Sequence, residues 1–233
     1  MIHCVVFDVD DTLYSYQAAH KYAYQAIKTY AEHQLSLPPE QFDALHREIM
    51  REHLAQVGSD CAATHNRLIR YQRLLERLHL PLTHAPVMEH LYWDTLLAHM
   101  DAAPELVETV RKIRELGLRV GIGTNMTADW QFEKLSRLGL LPLVDFVVSS
   151  EEVNVEKPNP ALFTACAKKA GCQPEECVFV GDSLSHDVAG ALKAGLRPVL
   201  YCPSAQPEGI PEGVPVIVTM KELIPLLHSI NAQ

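Results

Sequence analysis

The chain has 233 residues, enough for one large domain or two small ones, and an apolar share of 48% supplies a sizeable core. A net charge of −9 argues against a nucleic-acid polymer as partner, and no apolar run reaches the length of a membrane span. The six cysteines form no CxxC pair, and Cys4, Cys166 and Cys177 lie in apolar runs; with no basic leader ahead of the first such run, they read as buried thiols of a cytoplasmic protein.

The chain opens with an apolar, β-branched run, Ile2 to Phe7, that shows no alternation. That pattern predicts a strand buried on both faces of a parallel sheet. It ends in three acids within four residues, Asp8, Asp10 and Asp11, followed by Thr12. In an extended backbone Asp8 and Asp10 share a side. Two carboxylates so placed need a cation between them, or one must keep its proton. Asp11 or Thr12 alone would also serve as the cap of a following helix.

Helical spacing then holds for a long way. Ser15 is placed to cap a helix carrying Tyr16, Ala19, Ala23, Ala26, Ile27 and Tyr30, which Pro38-Pro39 ends. A second helix runs from about Pro39 with Phe42, Leu45 and Ile49 inward; a third holds Leu68, Tyr71, Leu74, Leu75 and Leu78; a fourth begins near Pro86. This block holds nine of the twelve histidines. No HxxxH or HExxH spacing occurs, so they are expected on exposed helix faces rather than around a metal.

From Pro104 helices and strands alternate. Helices are predicted at Pro104–Leu116, Thr127–Leu138, Pro160–Ala170, His186–Ala194 and Lys221–His228. Strands are predicted at Leu118–Gly123, Val144–Val148, Cys177–Val180, Val199–Cys202 and Val216–Val218. Such alternation implies βαβ units, hence an α/β fold with a doubly wound parallel sheet. The first strand joins this sheet. Residues 1–14 and 101–233 then form a Rossmann-like core, and 15–100 an inserted all-helical domain.

The later strands end in polar residues. Thr124 and Asn125 follow one, with hydroxyl and backbone N–H groups suited to an anionic oxygen. Lys157 precedes Pro158, which disfavours helical geometry at the lysine, and Asn159-Pro160 is a strong helix start. Gly181-Asp182 and then Asp187 follow another strand. In a parallel sheet these clusters share one edge. Asp8, Asp10 and Asp182 would offer hard oxygens to Mg²⁺, Asp187 would also serve simply to favour its helix dipole, and Thr124, Asn125 and Lys157 would hold a phosphate.

At these residues the sequence resembles the haloacid dehalogenase superfamily in its phosphatase branch. Asp8-Val9-Asp10-Asp11-Thr12-Leu13 is similar to motif I, Thr124 to motif II, Lys157-Pro158 to motif III, and Gly181-Asp182 with Asp187 to motif IV. The inserted helices look like the family's type 1 cap. The phrase Asp10-Asp11-Thr12-Leu13-Tyr14 looks like the branch with pyrimidine nucleotidase-like and small-metabolite phosphatases.

The resemblance implies a Mg²⁺-dependent phosphomonoesterase of small phosphorylated metabolites. Asp8 would be the nucleophile that forms an aspartyl-phosphate. Asp10 would be the acid–base residue, with its backbone carbonyl on the metal. Asp182 would be a direct metal ligand, Asp187 either a ligand or an acid just behind the ligands, and Thr124 and Lys157 would stabilise the transferring phosphoryl group. Tyr14, Tyr16, His65 and Arg67 are the cap residues that would meet the leaving group. Alternative readings are a phosphomutase of the same superfamily and a non-enzymatic phosphoreceiver. A receiver, however, is about half this length and lacks the large insert. A dehalogenase, which attacks carbon, needs neither Mg²⁺ nor an acid two residues past the nucleophile.

Overall fold

The computed structural model describes residues 1–204 and 208–232. Two compact units emerge: Met1–Ser15 with Asp101–Gln233, and Tyr16–Met100. Strand β1 (Cys4–Phe7) opens the first unit, with all four residues buried.

The second unit is helical. It comprises α1 (Tyr16–Leu35), α2 (Pro39–Val57), α3 (Arg67–Arg77) and α4 (His84–Ala98). Ala19, Ala23, Ile27 and Ala31 line the buried side of α1 at helical spacing. The three alanines let it lie close along α4, which buries Met88, Tyr92, Trp93 and Leu96. Asn66 caps α3, its side chain accepting from the Ile69 N–H at 3.0 Å.

Two expectations change in this unit. The third helix turns Leu68 outward and buries Arg67 and Arg70 beside Tyr71, Leu74 and Leu75. Among the histidines, His53 is fully buried and its Nε2 meets the Ala63 carbonyl at 2.8 Å.

The first unit continues with α5 (Leu106–Glu115), β2 (Arg119–Thr124), α6 (Ala128–Arg137) and β3 (Phe146–Ser149). Then come a one-turn helix α7 (Ser150–Val153), α8 (Pro160–Ala170), β4 (Cys177–Gly181) and α9 (Ala189–Ala194). Strands β5 (Arg197–Tyr201) and β6 (Val216–Ile217) and helix α10 (Leu223–Asn231) end it. The Asn159 side chain caps α8, with Pro160 in the first turn. Helix α7 was not anticipated; Ser149 caps it, accepting from Glu152 N–H at 3.2 Å.

The six strands are parallel in the order β3-β2-β1-β4-β5-β6. This is a doubly wound α/β sheet, and its winding reverses between β1 and β4. Helix α8 packs on β2 and β3, and α5 on β2. Covered strands need no alternation, which is why β1 reads as a continuous apolar run. Phe7 lies level with Ile122 and Val180, so β1, β2 and β4 run out at one edge of the sheet. All six cysteines are free thiols, with Cys4, Cys166 and Cys177 buried. No helix among the described residues is long and apolar enough to cross a membrane.

Candidate active site

The chain leaves β1 at Phe7, and the Asp8 N–H extends the ladder to the Val180 carbonyl at 2.9 Å. It then turns sharply. The N–H of Leu13 donates to the Val9 carbonyl at 2.9 Å, and Asp11 takes the left-handed conformation at φ 60°. Asp and Asn tolerate that region better than most residues. Helix α1 starts only at Tyr16, so Asp11 is a turn residue, not the helix cap.

The two acids of the first motif meet different lysines. Asp8, 6% exposed, goes to Lys157. Asp10 goes to Lys134, whose Nζ lies 2.7 and 3.0 Å from its two carboxylate oxygens. Tyr14 also donates to Asp10, and Gln131 Nε2 approaches at 3.3 Å. The Asp10 carboxylate is therefore engaged by α6, and its main-chain carbonyl is the group left for the assigned metal role.

Asp182 follows directly on β4, and Asp187 sits in a π-helical turn, Leu184–Val188, just beyond. Asp187 Oδ2 accepts from the Ser183 N–H at 3.0 Å. Gly181 is required for this approach. A Cβ there would lie 2.4 Å from the Asp187 carboxyl carbon. Oxygens of Asp8, Asp182 and Asp187 all lie within 4.8 Å of one another. Lys157 Nζ donates to Asp8 and, at 2.7 Å, to Asp187 Oδ1. With all three acids ionised, three carboxylates and one ammonium would leave two negative charges in a largely buried space.

The electrostatics follow. Burial pushes the Asp8 carboxyl up, Lys157 pulls it down, and Asp187 and Asp182 push it up again, to about 8. Burial, Asp187 and Asp11 raise Asp182 to about 6. Burial disfavours the Lys157 ammonium, but Asp187 and Asp8 more than offset this and hold it charged. Burial would also raise Asp10. The charge and hydrogen bonds of Lys134, with Tyr14 and Gln131, hold it below the usual carboxylate range. A bound divalent cation would supply the missing charge and favour the ionised acids. Three hard oxygens with two uncompensated charges suit Mg²⁺ by donor type and charge.

Thr124 is buried at the end of β2; its hydroxyl donates to the Asn125 carbonyl at 3.1 Å and accepts from Gln131 Nε2 at 2.9 Å. Asn125 Oδ1 accepts from the Lys157 N–H at 2.8 Å, which ties the β2 loop to the lysine. This bond takes the carbonyl half of the side chain expected on a phosphate and leaves its amide nitrogen for that role.

Gln131 and Lys134 were missed by sequence reasoning, although both are fully buried. A signal existed. They share a stripe with Leu135 and Leu138 at helical spacing, where two polar residues interrupt an apolar face.

Residues 2–195 match the sequence profile of the haloacid dehalogenase-like hydrolases. The glyceraldehyde 3-phosphate phosphatase of Methanopyrus kandleri is 38% identical over 201 residues, covering 84% of this chain and 82% of its own. The ribulose-1,5-bisphosphate 5-phosphatase of Halopiger xanaduensis is 35% identical over 210 residues, covering 88% and 87%. Among solved structures, a 2-haloacid dehalogenase from Pseudomonas syringae pv. Tomato superposes with a TM-score of 0.81 at 26% identity, covering 98% of this chain and 99% of its own.

Proposed function

The chain belongs to the haloacid dehalogenase-like hydrolase family, and we propose that it is a Mg²⁺-dependent phosphomonoesterase of a small phosphorylated metabolite working through an aspartyl-phosphate. The observation that carries this reading is the division of labour at the end of β1. Asp8 lies in the acid cluster with Lys157, while Asp10, two residues on, has its own lysine. A dehalogenase has no use for the second acid.

Asp8 attacks phosphorus, the bond to the leaving oxygen breaks, and Asp10 gives that oxygen a proton. Water then attacks the aspartyl-phosphate, Asp10 takes its proton, and phosphate and free Asp8 result. Lys157, the Thr124 hydroxyl and the Asn125 amide hold the phosphoryl oxygens, which is the positioning this transfer chiefly needs. Asp8, Asp182, Asp187 and the Asp10 main-chain carbonyl would hold the Mg²⁺, which would neutralise charge on the phosphoryl group when bound.

The test is phosphate release from p-nitrophenyl phosphate and from a panel of sugar phosphates, sugar bisphosphates and nucleoside monophosphates, with Mg²⁺ and with EDTA. The names of the relatives put phosphorylated sugars first. We expect release with Mg²⁺ that EDTA abolishes. No release from any member overturns the reading. Oxygen from labelled water in the released phosphate separates hydrolysis from a mutase transfer.

Metal and protons should also compete. Between about pH 4 and 8 the metal-free folded protein binds more protons at Asp8 and Asp182 than the unfolded chain does. Its stability therefore falls as pH rises through that window. Mg²⁺ should raise the melting temperature more at pH 8 than at pH 5. Gly181→Ala, which displaces the Asp187 carboxylate, should weaken the Mg²⁺ dependence of activity by about 10–100-fold. Equal metal stabilisation at both pH values, or an unchanged Mg²⁺ requirement in the variant, contradicts the ligand assignment.

A further inference from the structure

The helical unit buries two positive charges without a negative one. Arg67 and Arg70 lie three residues apart on α3, so they leave the same face. They are 8% and 9% exposed. The Arg67 guanidinium rests against two rings, its Cζ 4.0 Å from the centre of Tyr92 and 4.5 Å from that of Trp93. Its Nη2 donates to the hydroxyls of Tyr16 at 2.7 Å and Tyr92 at 2.8 Å, and its Nη1 to the His65 carbonyl at 3.4 Å. Arg70 Nη2 donates to the Thr64 carbonyl, while its Nε is buried with no partner among the described residues.

All these acceptors are neutral, and among the described residues neither arginine pairs with a carboxylate. The carboxylate that acts on nearby His46 is Asp43, and it is committed to Lys28 at 2.7 Å and Tyr24 at 2.8 Å. Tyrosine hydroxyls supply hydrogen bonds but no charge, and a buried charge without a counter-charge is costly. The neighbours register that field. Burial, then Arg70 and Arg67, hold His46 down to about 4; burial and the same arginines lower His20. Burial and Arg67 push Arg70 itself down to about 10. Tyr16, His20 and His46, around the pair, are only half-buried.

We infer that Arg67 and Arg70 form an oxyanion site, taking a carboxylate or phosphate group alongside the hydroxyls of Tyr16 and Tyr92. Planar guanidinium groups match either oxyanion. The anion is either a second acidic group on the substrate or a separate inorganic anion. Only the first source rests on the phosphatase reading.

Trp93 reports on the site directly. The chain has two tryptophans, so Trp130→Phe leaves Trp93 alone. In that full-length protein, sulfate titrated against chloride at matched ionic strength should change Trp93 emission saturably. Arg70→Gln should weaken the apparent affinity about 10-fold or more, and Arg70→Lys should fall between. Sulfate held elsewhere does not depend on Arg70. Absence of saturation, or equal affinity in Arg70→Gln, overturns the site. If Arg70→Gln fails to fold by circular dichroism, unchanged affinity in Arg70→Lys overturns it.

A second arm finds the source. With Mg²⁺, kcat/KM for 3-phosphoglycerate is compared with that for glycerol 3-phosphate. A preference of about 10-fold or more, narrowed by Arg70→Gln, assigns the anion to the substrate. Equal values alongside saturable sulfate binding assign it to a free anion. If neither ester is hydrolysed, the phosphatase reading is what suffers, and the sulfate titration still decides the site.

Discussion

Asp8→Asn is expected to lower Mg²⁺-dependent hydrolysis of p-nitrophenyl phosphate by on the order of 10⁴-fold or more, because the nucleophile is lost while the binding groups remain. The protein should stay folded. Asn has nearly the volume of Asp and removes one carboxylate from a cluster that would carry two uncompensated charges with all its acids ionised. Without added metal, relief of that repulsion should leave the melting temperature unchanged or raise it near pH 8, where about half of Asp8 is ionised. Loss of activity with preserved stability separates a chemical role from a structural one. Intact-mass measurement should find no phosphoryl adduct in the variant. Retained activity removes Asp8 as the nucleophile.

How far the sequence could be read depends on what each residue's neighbours demand. The strand Cys4–Phe7 was legible because burial on both faces forces an unbroken apolar run. Asp8, Thr124 and Asp182 were legible as polar residues at the ends of such runs, and the parallel order brings β1, β2 and β4 to one edge. Lys157 was legible through the backbone constraint of Pro158. Gln131 and Lys134 were not, and Arg67 and Arg70 only in part, for a common reason. Each lies on the buried stripe of a helix, where apolar periodicity treats a polar residue as a lapse in the pattern. Burying a lysine or arginine requires a partner or a function, so such lapses carry information. Leu68 shows the converse. It fits an apolar pattern but sits at the surface, because a lone exposed leucine costs little. The separate lysine partners of Asp8 and Asp10 were also hidden, since Lys134 comes from α6 and Lys157 from the segment before α8, far apart in the sequence.

That separation sets the second expectation. Lys134 favours ionised Asp10, whereas the first chemical step needs its proton. The incoming phosphate, itself negative, raises the Asp10 pKa when it binds and so helps to protonate it. Asp10→Asn should slow sugar-phosphate hydrolysis by about 10²–10⁴-fold. With p-nitrophenyl phosphate, whose leaving group needs little protonation, the same variant should release one equivalent of nitrophenol and then stall as phosphorylated Asp8. An unchanged steady rate would sink the acid–base role. Lys134→Met tests the tuning separately. Losing the nearby cation favours the neutral acid, so the alkaline limb of kcat/KM for a sugar phosphate should move to higher pH. A limb that stays in place means that Lys134 only anchors α6. A limb that moves upward shows that the buried lysine sets the pH at which Asp10 can deliver its proton, and so joins α6 to the chemistry begun at β1.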